Sequence, residues 1–362
     1  MSMTGIQYIR NVINNTILYS GNYAMLRLAS IAPDYAEVRV TESCNSRCIT
    51  CRAWKNSPEG ELTTIEMIDA LRQLRQIGVQ ILRISGGEPL LRADLPEIVR
   101  ECHLLGFPQI HVATNGLLLE QKAEKLLLEG ATRFDVSIDG INATDDHIRG
   151  IPGHYSRALA GIKMVKSCAQ KMRRGIPVTV FTTLLKQNIS EVPAIIDMCE
   201  RVGARWCFSL LCGNIDLFNK VDVSEFAPTD WKMIDWTLDY VKKLYYEKRF
   251  LIYSNPDIIE YARHYMKGDL DVHNFPCVLG YKTLALGSKG EVYPGCYTSK
   301  PLGNVREMKI KKILELPEYR RFTEKMYRRE CIGCTFFYED SVMTRNVFRR
   351  TERLRAIVRS NR

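Results

Sequence analysis

Three cysteines fall within eight residues, Cys44, Cys48 and Cys51, spaced C-x3-C-x2-C in the stretch ESCNSRCITCRAW. Thiolates this close together are metal ligands before they are anything else in a reducing compartment. Structural zinc sites are closed by four ligands, whereas a site with three protein ligands keeps one position open. No fourth Cys or His lies nearby; the nearest histidine in sequence is His103. Three readings follow: zinc with a remote fourth ligand, chance clustering, or a four-iron cluster with one iron exposed to a small molecule. A second group, Cys277, Cys296, Cys331 and Cys334, has four members and suits a closed site, again iron–sulfur or zinc. The remaining Cys102, Cys168, Cys199, Cys207 and Cys212 are scattered and read as small buried hydrophobes.

These cysteines need a scaffold, and the pattern around them supplies one. The strand-like AEVRV (36–40) runs into the cysteine loop. A helical pattern follows, with Ile68, Leu71, Leu74 and Ile77 on one face and a capping-box spacing from Thr63 to Glu66. Strand VQILRI (79–84) ends in Ser85-Gly86-Gly87-Glu88-Pro89. Helices near 94–105, 120–129, 156–170 and 190–202 alternate with strands QIHVA, RFDVSID (133–139), PVTVFTT (177–183) and RWCFSLL (205–211). Short strands alternating with amphipathic helices indicate parallel βαβ units. Six strands predict an open (β/α)6 barrel of the TIM type, in the α/β class. In such sheets ligands bind at the carboxyl ends of the strands, where the cysteine loop, SGGEP, Thr114-Asn115-Gly116 and Ser137-Ile138-Asp139 all fall. Beyond a boundary near 250–270 the chain becomes turn-rich, with a strand hairpin, a charged helix near 307–328 and then Cys-Ile-Gly-Cys. The expected domains are an N-terminal helical extension (1–35), the barrel (36–255), a small hairpin-plus-helix unit (256–340) and a basic tail (341–362).

The combination of Cys44-x3-Cys48-x2-Cys51, Gly86-Gly87-Glu88-Pro89, Thr114-Asn115-Gly116 and the segment from Ser137-Ile138-Asp139-Gly140 to His147-Ile148-Arg149-Gly150 resembles the radical S-adenosylmethionine (SAM) superfamily. The resemblance implies a [4Fe–4S] cluster on Cys44, Cys48 and Cys51, whose free iron chelates the amino and carboxylate groups of SAM. It further implies reductive cleavage of SAM to a 5′-deoxyadenosyl radical that abstracts hydrogen from a substrate. Carried over by residue, Gly86, Gly87 and Glu88 meet the methionyl amino end, Ser137 the ribose or methionyl part, and Arg149 the carboxylate. Asn115 and Asp139 are further polar contacts, Asp139 alternatively only shaping its turn. Relatives commonly carry an aromatic residue where Thr50 stands, which leaves Thr50 a backbone contact to adenine, with Trp54 available for packing.

The C-terminal cysteines, with GSKGEVYPGC and Leu302-Gly303-Asn304-Val305, resemble the SPASM/twitch extension of these enzymes, here the short form with one auxiliary [4Fe–4S] cluster on Cys277, Cys296, Cys331 and Cys334. Gly295 stands in this turn as though inserted. Some relatives use a cysteine as hydrogen donor, a role open to Cys212 (or Cys207) beside the packed-thiol alternative.

The bulk properties bound the function. The chain has 362 residues, 46% hydrophobic and 25% charged, with net charge +10. Arg10, Asn14 and Asn15 interrupt any secretory core, and no apolar run reaches the roughly 18 residues of a membrane span. A cytoplasmic location is expected. Seven arginines against one Glu352 give the segment 341–362 a net +6, so the body is only mildly basic and no nucleic-acid groove is expected across it. Val347, Thr351, Leu354 and Val358 in the tail, and Ile9, Ile13 and Ile17 at the start, form apolar stripes. They suit peripheral contact with the inner membrane surface or helices packed on the barrel. Three functions stand: a radical SAM enzyme acting on a small molecule (sugar, aminocyclitol or lipid precursor) by dehydrogenation, epimerisation, deoxygenation or adenosylation; a radical SAM maturase of a peptide or protein; and a zinc-stabilised nucleic-acid-binding protein. Either enzyme would need an electron donor such as flavodoxin or ferredoxin. Arg83, Arg205, Asp216 and Lys220 are candidate pocket residues.

Overall fold

The computed structural model describes residues 33–211, 222–248, 250–267, 277–297, 300–328 and 330. The apolar stripes of both flanks, Cys212, Asp216, Lys220, Cys331 and Cys334 lie outside the described residues.

Strands β1 (Tyr35–Arg39), β2 (Ile81–Ser85), β3 (Gln109–Thr114), β4 (Arg133–Ser137), β5 (Val178–Thr183) and β6 (Arg205–Ser209) run parallel, each beside the next. Helices α1 (Thr64–Gln76), α2 (Leu95–Leu104), α3 (Leu119–Leu128), α4 (Ala143–Arg149), α5 (His154–Lys171) and α6 (Val192–Arg201) connect them. This is the expected partial (β/α)6 barrel. The capping box is formed: Glu66 N donates to Thr63 Oγ1 and Thr63 N to Glu66 Oε2. The short α4 was not expected; at seven residues it is too brief to show a helical period.

Strand alternation divides the residues between two environments. Leu82, Ile84, Ile110, Val112, Phe134, Val136 and Trp206 are buried in the core cluster that the sheet shares with its helices. Each large apolar side chain buried there contributes about 1.5–3 kcal/mol. The alternate positions, Glu37, Arg83, His111, Arg133 and Asp135 among them, line the barrel lumen. Parallel strands buried on both faces are usually apolar throughout. Charges at every second position therefore mark a lumen built for a polar occupant.

Helix α7 (Trp231–Glu247) follows, then α8 (Pro256–Met266), held to α7 by Arg263 with Asp235 and Asp239. Ile252 bridges Trp206 in parallel and extends the β6 edge by one step. The C-terminal unit comprises α9 (Leu279–Lys282), β7 (Thr283–Leu286), β8 (Glu291–Pro294), β9 (Gly303–Asn304), α10 (Ile310–Glu315) and α11 (Pro317–Tyr327). The expected single helix near 307–328 is two, because Leu316 precedes Pro317 and is extended (φ −62°, ψ 139°). The hairpin β7–β8 is not a separate sheet. β7 lies parallel to β1, so one nine-stranded sheet runs β6-β5-β4-β3-β2-β1-β7-β8-β9.

Candidate active site

The cysteine loop, between β1 and α1, is fixed by backbone pairing on two sides. Gly87 N donates to Thr41 O (2.8 Å) and Glu88 N to Ser43 O (2.7 Å). On the other side Arg47 N donates to Arg149 O and Ile49 N to Ile148 O, both 3.0 Å. The loop is thus clamped between the SGGEP turn and the end of α4. The two glycines are required by this approach. A β-carbon on Gly86 (φ +151°) would lie 2.5 Å from Thr41 O, and one on Gly87 would overlap Glu42 O and Ser43 O. Glu42, two residues before Cys44, accepts from Arg39, Asn56 Nδ2 and Ser288 Oγ, the last from the β7–β8 turn (2.6 Å).

Cys44, Cys48 and Cys51 line one cavity of about 580 Å³ that occupies the barrel. Thr50, Gly86, Gly87, Asn115, Ser137, Asp139 and Arg149 line it too, as does Trp54, whose ring both Arg47 and Lys55 approach. These residues, each singled out from the sequence, therefore meet at one site.

Glu88 is the exception. It is fully buried and does not line the cavity. Its carboxylate accepts from Thr114 Oγ1 (2.7 Å), Leu90 N (3.0 Å) and Asn115 N (2.6 Å). That carboxylate is spent on holding the neighbouring turn, which leaves only the backbone of Glu88 beside Gly86 and Gly87. Burial pushes its pKa up, opposed by those hydrogen bonds and by Arg149. Asn115 passes the constraint on, donating from Nδ2 to Asn45 Oδ1 (2.7 Å) and Ser46 Oγ (2.9 Å) in the cysteine loop.

Arg149 is buried beside the cysteines. Nη2 pairs with Asp139 Oδ2 (2.7 Å) and Nη1 lies 3.9 Å from Cys48 Sγ. Nε is buried with no hydrogen-bond partner among the described residues. Burial pushes the Cys48 thiol up to about 12, with Arg149 opposing, so occupation by a metal would release its proton. Burial also raises Asp139, again against Arg149. Three thiols lining one cavity with a guanidinium beside them fit an iron–sulfur cluster with an anionic group of a ligand at its open side.

Deeper in the lumen the charges compensate one another. Arg83 donates to Asp135 (3.2 Å) and Glu37 (3.3 Å), and Arg133 to Asp135 (2.7 Å) and the Tyr253 hydroxyl (2.8 Å). Burial would raise Asp135, but Arg133 and Arg83 hold its carboxyl below the usual range. Burial lowers His111 to about 4, leaving a neutral ring bonded to Gln109 Oε1. Of the candidate pocket charges Arg83 is in the lumen, while Arg205 is not among its lining residues. Glu37, His111, Arg133, Asp135 and Tyr253 were missed; charged residues at alternate positions of β1, β3 and β4 were the available signal. Cys207 lines the cavity with Sγ 3.2 Å from Ser254 Oγ.

In the C-terminal unit Cys277 and Cys296 share an apolar cluster with Leu279, Phe322 and Met326. Gly295 adopts φ +77°, and a β-carbon there would crowd Gly280 N and Met326 Cε at 2.9 Å. This residue turns the chain so that Cys296 faces α9 and α11, with Cys296 N donating to Pro294 O.

Residues 38–199 match the radical SAM superfamily, and residues 277–335 match an iron–sulfur cluster-binding domain, SPASM. The AdoMet-dependent heme synthase of Methanosarcina barkeri is 30% identical over 333 residues, covering 84% of this chain and 91% of that protein. The chain belongs to the radical SAM superfamily. As a radical SAM enzyme with a SPASM domain it uses SAM, a [4Fe–4S] cluster and an auxiliary iron–sulfur cluster, and it requires a reductant. These matches set aside the zinc-stabilised nucleic-acid-binding alternative. The Fe-coproporphyrin III synthase of Methanosarcina barkeri is 35% identical over 173 residues, 47% of this chain and 42% of that protein. Among solved structures, Streptococcus suis SuiB bound to S-adenosylmethionine has TM-score 0.64 at 16% identity, covering 89% of this chain and 74% of SuiB. Native anSMEcpe with bound AdoMet has TM-score 0.60 at 16% identity, covering 84% and 86%. Both show the shared fold. No helix among the described residues is long and apolar enough to cross a membrane.

Proposed function

We propose that this radical SAM enzyme abstracts hydrogen from a small polar molecule held in the barrel lumen, of the sugar, aminocyclitol or polar lipid-precursor kind. The observation that carries this is the lumen's fixed network of compensating charges, Arg83 and Arg133 with Asp135 and Glu37. Such a network offers donors and acceptors together without net charge, which suits a hydroxylated or amino-substituted ring. Its side chains are already oriented by one another, so substrate binding costs little reorganisation. When bound, SAM and the cluster on Cys44, Cys48 and Cys51 supply a carbon radical on one-electron reduction, the electron coming from a flavodoxin or ferredoxin. The chain's residues then have positional tasks. Gly86 and Gly87 present backbone to the amino end of SAM, Arg149 takes its carboxylate through the guanidinium, and Ser137, Thr50, Asn115 and Asp139 complete the wall. Cys277, Cys296, Cys331 and Cys334 hold the auxiliary cluster.

The test is anaerobic incubation of reconstituted enzyme with SAM, dithionite and C-deuterated candidates, following deuterium in 5′-deoxyadenosine by mass spectrometry. Transfer from a polyol or aminocyclitol, lost in Arg133→Ala with uncoupled SAM cleavage retained, supports the reading. Transfer only from a peptide would overturn it in favour of a maturase.

A second reading has one specific support, the similarity along 84% of the chain to a protein named heme synthase. A tetrapyrrole carboxylate would set its acidic side chains on Arg83 and Arg133. Formation of heme from an iron tetrapyrrole precursor by the same preparation would establish it.

A further inference from the structure

Two ionisable groups lie wholly buried behind the SAM site, outside its cavity. Asp145 in α4 and His154 at the start of α5 are each 0% exposed and meet through His154 Nδ1 and Asp145 Oδ2 at 2.6 Å. The other carboxylate oxygen, Oδ1, accepts from Asp139 N, also at 2.6 Å. A carboxylate accepting on both oxygens fixes the ring as its Nδ1–H form. Asp139 in turn divides its own carboxylate between Thr183 N (2.7 Å) and Arg149 Nη2 (2.7 Å). One line of hydrogen bonds therefore joins α5, α4, the end of β4 and β5.

That line controls more than the packing of a short helix. α4 ends in Arg149, whose guanidinium stands beside Cys48 and whose carbonyl seats the cysteine loop. A shift of α4 along β4 would move both together. Burying two ionisable side chains is costly, and an apolar pair of similar volume would pack as well. Directional bonds, unlike apolar contacts, specify the position of α4 against the Asp139 turn.

We propose that Asp145 and His154 are positioning residues for SAM, an inference that rests on the reading of Arg149 as a SAM contact: they lock α4 to the Asp139 turn so that the Arg149 guanidinium stands on the cavity wall beside Cys48. Neither touches SAM. The effect is on SAM binding and on how SAM meets the cluster.

The test uses reconstituted full-length Asp145→Ala, Asp145→Asn and His154→Leu. Asp145→Ala is expected to raise the KM and the dissociation constant for SAM about tenfold, the scale on which a ligand's supporting partner acts, with kcat at saturating SAM and iron per chain near wild type. The SAM-induced change in the EPR spectrum of the reduced cluster should need correspondingly more SAM. Asp145→Asn restores most of the affinity, since its amide oxygen still accepts from Asp139 N and its NH2 donates to the other tautomer of His154. A merely structural role would lower melting temperature or iron content and leave SAM affinity per intact cluster unchanged; that result overturns the proposal. If Asp145→Ala does not fold, His154→Leu decides. It keeps the bond to Asp139 N, and unchanged SAM affinity in that variant would equally overturn the proposal.

Discussion

Asn115 N donates to Glu88 Oε2 at 2.6 Å, so the acidic residue of the SGGEP turn holds the TNG turn rather than facing the cavity. Asn115 then grips Asn45 and Ser46 in the cysteine loop. Glu88→Ala would leave the donors of Leu90, Thr114 and Asn115 unmet in a dry interior, at about 1–3 kcal/mol each. The denaturant midpoint should fall by an amount equivalent to about 3 kcal/mol or more. Glu88→Gln should cost less. Full stability of the alanine variant would refute this role.

Gly87→Ala places a methyl group against the backbone of Glu42 and Ser43. Neither neighbour can rotate away, so the cysteine loop must shift, at about 1–3 kcal/mol for an overpacked site. Helical circular dichroism should be retained while SAM cleavage falls by more than tenfold. Wild-type cleavage by this variant would show that the loop is free to move.

The cysteine groups predict the iron content. With two four-iron clusters the wild-type chain holds about eight iron atoms. Cys51→Ala should retain about four and lose the SAM-dependent EPR change. Cys296→Ala should also retain about four but keep that change. A preparation of either variant with full iron would remove the corresponding assignment.

His111 gives a pH signature. Its folded pKa is lowered to about 4 by burial, so the unfolded chain takes up the proton first, near pH 6.5. The stability linked to its neutral form is complete above pH 6.5 and falls as pH drops through 6.5 towards 4. The loss approaches about 3 kcal/mol by pH 4. Urea titrations at pH 7.5 and 4.5 should show a smaller drop for His111→Gln than for wild type. Equal drops would mean that this ring does not contribute.

Local signals in the sequence carried most of the barrel. Alternation of strands with amphipathic helices gave the strand order, and the Thr63–Glu66 capping box gave the start of α1. The glycines and cysteines marked the carboxyl ends of the strands. Side-chain direction in the turns and long-range register were not legible. Nothing local says that Glu88 turns inward while Gly86 and Gly87 stay on the cavity, because one peptide rotation decides it. The pairing of β7 with β1 joins segments about 250 residues apart, and their patterns alone do not reveal it. The lumen charges were visible as residues, yet Arg133 and Asp135 gain meaning only when Tyr253 and Arg83 arrive from other strands and loops.

The continuity of the hairpin with the barrel has a further consequence, for solubility. An open sheet of six parallel strands would end in two rows of unpaired amides, each a template for another chain. At one border β7 and β8 carry the sheet outward until it ends in the two-residue β9. At the other, Trp206 N donates to Leu251 O and Tyr253 N to Trp206 O, covering the middle of β6. The unit that carries the auxiliary cysteines thus also serves the barrel as an edge guard, leaving it open to substrate but not to aggregation.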